Sequence, residues 1–386
     1  MLKSINNHEV TNKTILLRLD LNVPISNSVI QSTFRIKQTI PTIDHLLRKN
    51  NKIIILSHLG RPEEGIKTKS FSLKPIATVL EKILNTNIGF AENWIDGVNF
   101  SQNKVVLCEN VRFEIGEKSN NDNLSKKIAK LADIFVFDAF GVAHRKECTT
   151  FGISNFLDTY SGLLVDNEIQ IIKKTIKNPT KPLLTIVSGA KITTKLKLLQ
   201  KLLEQTDHMI LGGGILNTFL CAMDYEIGKS LYEKSSINEA KKILNSSNYN
   251  KIILPTDVIC ASSDSYHDSQ NKSLSMIQSD DRIFDIGTKT VETYKQYIES
   301  SGTVFWNGPL GFIEQPPFDK GTKEISKIIS NSNCFSLVGG GDTVSLIEKI
   351  NLENEFSYIS TGGGSLLKWI EGEKLPILEK LGAYDL

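Results

Sequence analysis

The chain has 386 residues, 40% hydrophobic and 23% charged, the balance of a folded protein of two or three domains. Its 45 Lys and Arg against 43 Asp and Glu leave a net charge of +2. That balance gives no global reason to bind nucleic acid or a membrane, so any basic site must be local.

The opening stretch MLKSINNHEVTNKTILLRLD lacks the apolar segment of a signal peptide, and no run of 18 apolar residues follows anywhere. Cys108, Cys148, Cys221, Cys260 and Cys334 are widely spaced, form no CxxC pair and read as free thiols of a reducing cytosol. Their spacing to histidine does not suit a zinc site.

Short apolar runs recur along the chain, each ending in Gly, Asp, Asn or Pro. In the first half they are TILLRL (14–19), KIIILS (52–57), KVVLC (104–108) and DIFVF (133–137). In the second they are PLLTIV (182–187), HMIL (208–211), KIIL (251–254), TVFW (303–306), CFSLV (334–338) and FSYI (356–359). They do not alternate with polar residues, which predicts parallel strands buried on both faces. Helical patterns such as SLKPIATVLEKIL and KLKLLQKLLEQ lie between them, so the expected class is α/β, with one parallel sheet in each half. The stretch 163–182 reads as a helix ended by Asn178 and Pro179, and the domain boundary is expected there.

Open parallel sheets bind ligands beyond the carboxyl ends of their strands. In the first half those loops are RLDLN, SHLGR, ENVRF and FDAFGVAHR, which carry Asp20, Asn22, His58, Arg61, Arg112, His144 and Arg145. Arg35 lies at a helix start nearby. A lone arginine pairs with a surface carboxylate as readily as with a ligand. Four arginines and two histidines gathered in a neutral chain point instead to a small ligand with several negative charges.

The second half offers glycine instead: SGAKITTK, GGGILNT, NGPLG, GGGDT and STGGG. Glycine lets backbone approach a phosphate, and a following helix aims its N–H groups at the anion. One triplet is weak evidence, because tight turns need glycine anyway. Three near strand ends predict a nucleotide-phosphate site. The GxxxxGK[ST], GxGxxG and protein-kinase signatures are absent, which disfavours P-loop enzymes, dinucleotide oxidoreductases and protein kinases. Asp342 suits either Mg²⁺ bridging nucleotide oxygens or a plain helix cap. Lys191 and Lys195, four apart, are expected on one face of a helical turn, aimed at phosphates or at solvent. No general base or nucleophile stands out. Transfer between an acyl phosphate and a nucleoside diphosphate needs none, because the reacting oxygens are already anionic.

RLDLNVP, SHLGRP, ENVRF, DAFGVAHR, SGAKITTK, GGGILNTFL, WNGPLGFIE, GGGDT and STGGG resemble, in order and over nearly the whole chain, the motifs of the phosphoglycerate kinase family. The resemblance implies two doubly wound, Rossmann-like domains facing each other across a hinged cleft. Residues 1–162 with 370–386 would bind 3-phosphoglycerate, 163–181 would link, and 182–369 would bind Mg-ATP or Mg-ADP. It implies that Asp20, Leu21, Asn22, Arg35, His58, Leu59, Gly60, Arg61, Arg112, His144 and Arg145 line the acidic substrate. Lys191 and Arg35 would stabilise the phosphoryl in flight, with N–H groups of Gly340, Gly362, Gly363 and Gly364. Lys195, Asn307, Gly340, Gly341, Asp342 and Thr343 would hold phosphates and Mg²⁺, Gly212 and Gly213 the adenine, and Glu314 the ribose. A cytoplasmic monomer is implied.

The chain departs from the pattern at Val142, where Thr is usual, at Ser365 and Lys368, where Ala and Glu are usual, and at Thr288, where Pro is usual. None removes a charge the chemistry needs. An inactive binding protein that keeps the fold remains the competing expectation.

Overall fold

A computed structural model describes residues 2–26, 29–262 and 266–384. The chain folds as two compact units, Met1–Gln170 with Gly364–Leu386, and Ile171–Gly363. Among the described residues no helix is long and apolar enough to cross a membrane.

The first unit is built on a six-stranded sheet, in the order Ile88–Ala91, Val105–Cys108, Lys52–Leu56, Thr14–Leu19, Ile134–Asp138, Thr159–Ser161. All pairings are parallel. Thr14–Leu19 is buried from Ile15 onward, as a central strand covered on both faces must be. Helix Phe34–Arg48 and helix Lys74–Leu84 pack Ile36, Ile43, Ile76 and Leu80 into this core. The second helix has Pro75 in its first turn and stops at Asn85, whose φ of 48° is left-handed. Its start is held by Glu109, which accepts from Ser72 Oγ at 2.7 Å and Leu73 N at 2.8 Å.

The second unit carries another six-stranded parallel sheet: Ile252–Ile253, His208–Gly212, Leu183–Ser188, Thr303–Asn307, Phe335–Gly339, Tyr358–Ile359. Counted along the chain, that order is 3-2-1-4-5-6, the doubly wound arrangement. Its switch point falls between Leu183–Ser188 and Thr303–Asn307.

Several features differ from expectation. A three-stranded antiparallel sheet, Gln270–Ser273, Asp257–Ser262 and Asp281–Ile286, was not foreseen. Gln270–Ser273 is polar and Asp281–Ile286 mixes charged with apolar residues, so neither shows the apolar run of a buried parallel strand; the short apolar run Val258–Ala261 of the central strand was overlooked. Ile88–Ala91 and Thr159–Ser161 were missed for a similar reason: they are short edge strands. The helix expected over 163–182 runs from Leu163 to Ile172 and continues as a wider π turn to Lys177, with the unit boundary inside it after Gln170. The return to the first unit begins at Gly364 and not at 370, because helix Gly364–Ile370 already packs on the Phe140–Val142 turn. The tail then fixes itself through Lys3 N to Leu381 O at 2.9 Å and Lys380 Nζ to Asn155 Oδ1 at 2.6 Å.

Candidate active site

In the first unit the expected loops follow the carboxyl ends of Thr14–Leu19, Lys52–Leu56, Val105–Cys108 and Ile134–Asp138. Arg35 Nη1 reaches Asp20 Oδ2 at 2.6 Å, which joins the start of its helix to the first loop. Asn22 Oδ1 accepts from Gly60 N at 2.9 Å, and Arg112 Nη1 donates to Gly60 O at 2.5 Å. Gly60 has φ +61°, and a Cβ there would stand 2.3 Å from the Phe71 ring, so this turn requires glycine. Arg112 and Arg145 share Glu147 Oε1, at 3.7 and 3.3 Å. Among the described residues, two donors of buried Arg112, Nε and Nη2, have no hydrogen-bond partner, and neither does Arg145 Nε. Buried guanidinium donors left open are the natural grip for an anion. Arg61 is exposed and has no partner among the described residues.

Some expectations need correcting. Burial, with Arg18, Arg112, Arg145 and Arg35 around it, pulls the His58 imidazole well below its usual range. His144 is lowered by burial and by Arg145 and Lys368. Both rings are therefore neutral at pH 7 and add hydrogen bonds, not charge, to the cluster. The 3.9 Å approach of His58 Nδ1 to Asp20 Oδ1 is accordingly no ion pair. Leu21 and Leu59 turn their side chains into the core, so only their backbone can serve a ligand.

Sequence reasoning also missed acidic and basic partners beneath the loops. Arg18 is wholly buried and Glu117 lies behind it, while Glu147 braces two arginines. RLDLN placed Arg18 in plain view, but an inward-facing strand residue gives no signal of polarity beyond its own identity.

The second unit has a cavity of about 650 Å³ at its switch point, within the range of small-molecule sites. Gly189, Gly213, Gly214, Pro309, Gly311, Glu314 and Asp342 lie on its wall, with Tyr266, Phe284 and Phe312. Phe284 stacks on Phe318 with ring centroids 4.6 Å apart. Gly213 lines the cavity, but Gly212 does not; it ends its strand against Ser188 and Leu310, where a Cβ would come within 2.8 Å of both. The aromatic wall was not foreseen, because Phe284 sits in a stretch without a motif.

Lys191 and Lys195 do not share a helical turn. Residues 191–195 form a tight turn, with Thr193 held by Glu233 at 2.9 and 2.7 Å, and the helix Leu196–Leu203 starts only after Lys195. Lys191 is exposed. Lys195 is largely enclosed; its Nζ donates to Ser188 O and to Asn307 Oδ1, the latter at 2.6 Å. Burial pushes its ammonium down to about 8, with Asp342 opposing. Gly340, at φ +102°, caps helix Gly341–Lys349, so Asp342 is not the cap but stands in the first turn, exposed. Thr343 Oγ1 is buried and has no partner among the described residues. Gly362 N donates to Ser360 Oγ at 2.9 Å, Gly363 has φ +48°, and helix Gly364–Ile370 follows.

The family model for phosphoglycerate kinase matches residues 5–373. The chain belongs to the phosphoglycerate kinase family. It is 47% identical over 375 residues to the phosphoglycerate kinase of Buchnera aphidicola from Acyrthosiphon pisum, covering 96% of this chain and 95% of that one. With the Francisella tularensis phosphoglycerate kinase (strain LVS), identity is 41% over 377 residues, covering 97% and 96%. Among solved structures, phosphoglycerate kinase from Coxiella burnetii superposes with a TM-score of 0.88 at 39% identity, covering 100% of both chains. That of Pyrococcus horikoshii gives 0.84 at 27%, again over 100% of both.

Membership makes the chain a kinase, and its departures from the family pattern can be placed. Ser365 Oγ meets His144 Nδ1 at 2.7 Å, Val142 is buried in the turn before that histidine, and Lys368 pairs with Glu373 at 3.1 Å. Thr288 opens helix Thr288–Glu299, a first position that suits Pro equally well.

Proposed function

We propose that this kinase moves a phosphoryl group reversibly between ATP and the carboxylate of 3-phosphoglycerate, as a monomer in the cytoplasm. The first unit takes the acidic substrate, on Arg35, Arg61, Arg112, Arg145 and the neutral His58 and His144. The second takes the nucleotide. The observation that carries this assignment is the contrast between the two carboxyl-end sites. One presents open guanidinium donors, and the other a cavity walled by glycine and aromatic rings. Five free cysteines support the cytoplasmic location, where thiols stay reduced.

Nothing in this transfer needs a base. The residues position two anions and offset their charge. Arg35 and Lys191 flank the moving phosphoryl, and Lys195, steadied by Asn307, holds nucleotide phosphates. Backbone N–H groups of Gly340, Gly341 and Gly363 and the unpartnered Thr343 hydroxyl complete the cradle, while Glu314 meets the ribose. A magnesium ion fits the donor set. No cluster of three or more metal-type side chains exists among the described residues; of the two exposed carboxylates on the cavity wall, Asp342 and Glu314, Asp342 stands in the helix turn that follows the glycine run 339–341. Asp342 would be the protein ligand of such an ion, beside oxygens of the nucleotide. When bound it offsets charge between the phosphates.

The test is turnover of 3-phosphoglycerate with Mg-ATP, read by coupling the acyl phosphate formed to NADH oxidation. Folded protein without turnover would overturn the reading in favour of a binding protein that keeps the fold.

A further inference from the structure

Behind the arginine loops runs a chain of buried polar groups that the reaction itself does not use. Glu117 and Arg18 are both wholly buried. Thr149 joins them: its N donates to both Glu117 carboxylate oxygens at 3.2 Å, its Oγ1 donates to Oε1, and Arg18 Nε donates to that same Oγ1 at 3.1 Å. Arg18 Nη1 donates to Leu19 O, and Nη2 lies 3.3 Å from His58 Nδ1.

The last contact has only one chemical sense. A guanidinium carries five N–H donors and no acceptor. His58 Nδ1 can meet it only with its lone pair, so the ring proton must sit on Nε2. Asp20 Oδ1, which would favour a proton on Nδ1, is 3.9 Å away, beyond hydrogen-bond reach. His58 Nε2 has no partner among the described residues, so its N–H is available to a ligand.

We propose that Arg18 is a positioning residue that fixes His58 in the Nε2–H tautomer, so that His58 serves the acidic substrate as a neutral donor. Thr149 and Glu117 orient Arg18 for this task. The proposal rests on the reading that His58 lines the 3-phosphoglycerate site. It adds what that reading lacks: which nitrogen donates, and which buried residues decide it.

Long-range proton–nitrogen NMR on the full chain with ¹⁵N-labelled histidine tests it at pH 7, with His58 assigned by the signals missing from His58→Gln. The expected spectrum shows a protonated Nε2 and a bare Nδ1. A proton on Nδ1, or on both nitrogens, overturns the proposal. This measurement needs no variant of the buried network. Saturating 3-phosphoglycerate should then shift the His58 signals. Signals that stay put would overturn the substrate placement and leave the tautomer assignment standing.

Thr149→Val removes the side-chain acceptor for Arg18 Nε. It should raise KM for 3-phosphoglycerate roughly tenfold, the size of losing one hydrogen bond to a charged group. The value of kcat and the Mg-ATP affinity should stay near those of the parent. Unchanged KM in the folded variant would count against the positioning role, and Thr149→Ser, which keeps the hydroxyl, should restore the parent KM.

Discussion

Lys191 and Lys195 stand four positions apart and meet opposite environments. Lys191 is exposed and its side chain has no partner among the described residues, which fits the proposed role of donating to the phosphoryl in flight. Lys191→Ala should lower kcat by roughly 10²–10³, the cost of one preorganised donor, with nucleotide affinity little changed. Near-normal turnover would remove Lys191 from the transfer step. Lys195 is enclosed, and burial sets its ammonium to about 8 against the ordinary 10.5. In the free enzyme it is charged below that pH and neutral above. Mg-ATP affinity should therefore be full below about pH 8 and fall as the pH rises through it. Fold stability moves the other way. Between about 8 and 10.5 the unfolded chain binds more protons at this group, so its contribution to stability grows with pH. Calorimetric titrations across this range should show the slope in affinity, and Lys195→Gln should flatten it. Asp342→Asn should weaken Mg-ATP binding and leave 3-phosphoglycerate binding unaltered. Equal Mg-ATP affinity would reduce Asp342 to a charge at a helix start.

At the scale of elements, the nucleotide site depends on how closely helix Gly213–Ala222 approaches the turn after Leu183–Ser188. A Cβ on Gly214 would stand 2.2 Å from Ala190 O, a backbone atom that cannot swing aside. Gly214→Ala should cost about 1–3 kcal/mol in stability, as overpacking does, and should displace the turn that carries Lys191. A variant with unchanged melting temperature and kcat would mean that the turn yields freely. Sequence made this arrangement partly legible. GGGILN after an apolar run announced strand, tight turn and helix, because glycine at a strand end has few other uses. The partners of that turn were not legible. Ala190 lies against Gly214, and Glu233 holds Thr193 of the turn that carries Lys191, each from a distant position, and no local pattern encodes such contacts. The same holds in the first unit. The motifs displayed Arg112 and Arg145, but the carboxylate they share, Glu147, sits in a stretch that reads as ordinary loop. The protonation state of the histidines was not legible, because a pKa depends on burial and on arginines brought close only by folding. The antiparallel sheet escaped notice because its flanking strands Gln270–Ser273 and Asp281–Ile286 lack a clean apolar run, which left the short run Val258–Ala261 without a recognisable partner.

At the scale of the whole molecule, the division of labour sets a mechanical requirement. Arg35 belongs to the unit of residues 1–170 with 364–386, and Lys191 to the unit of residues 171–363. On the proposed assignment both act on one phosphoryl group, one from each unit. Each ligand also enters from solvent, so a permanently closed arrangement would block it. The chain passes between the units twice: within the helix that starts at Leu163 and widens into a π turn, and at the glycine run 362–364, where Gly363 adopts φ +48°. Glycine tolerates large backbone changes, and π turns within helices are frequent at functional sites. Closure about these two passages would bring the groups together and exclude water that would otherwise hydrolyse the acyl phosphate. Solution scattering should therefore give a smaller radius of gyration with 3-phosphoglycerate and a non-reactive Mg-ATP analogue together than with either alone. Each ligand alone occupies one unit and supplies no bridge between them. A radius unchanged across all four states would refute closure, and with it the assignment of Arg35 and Lys191 to one phosphoryl group.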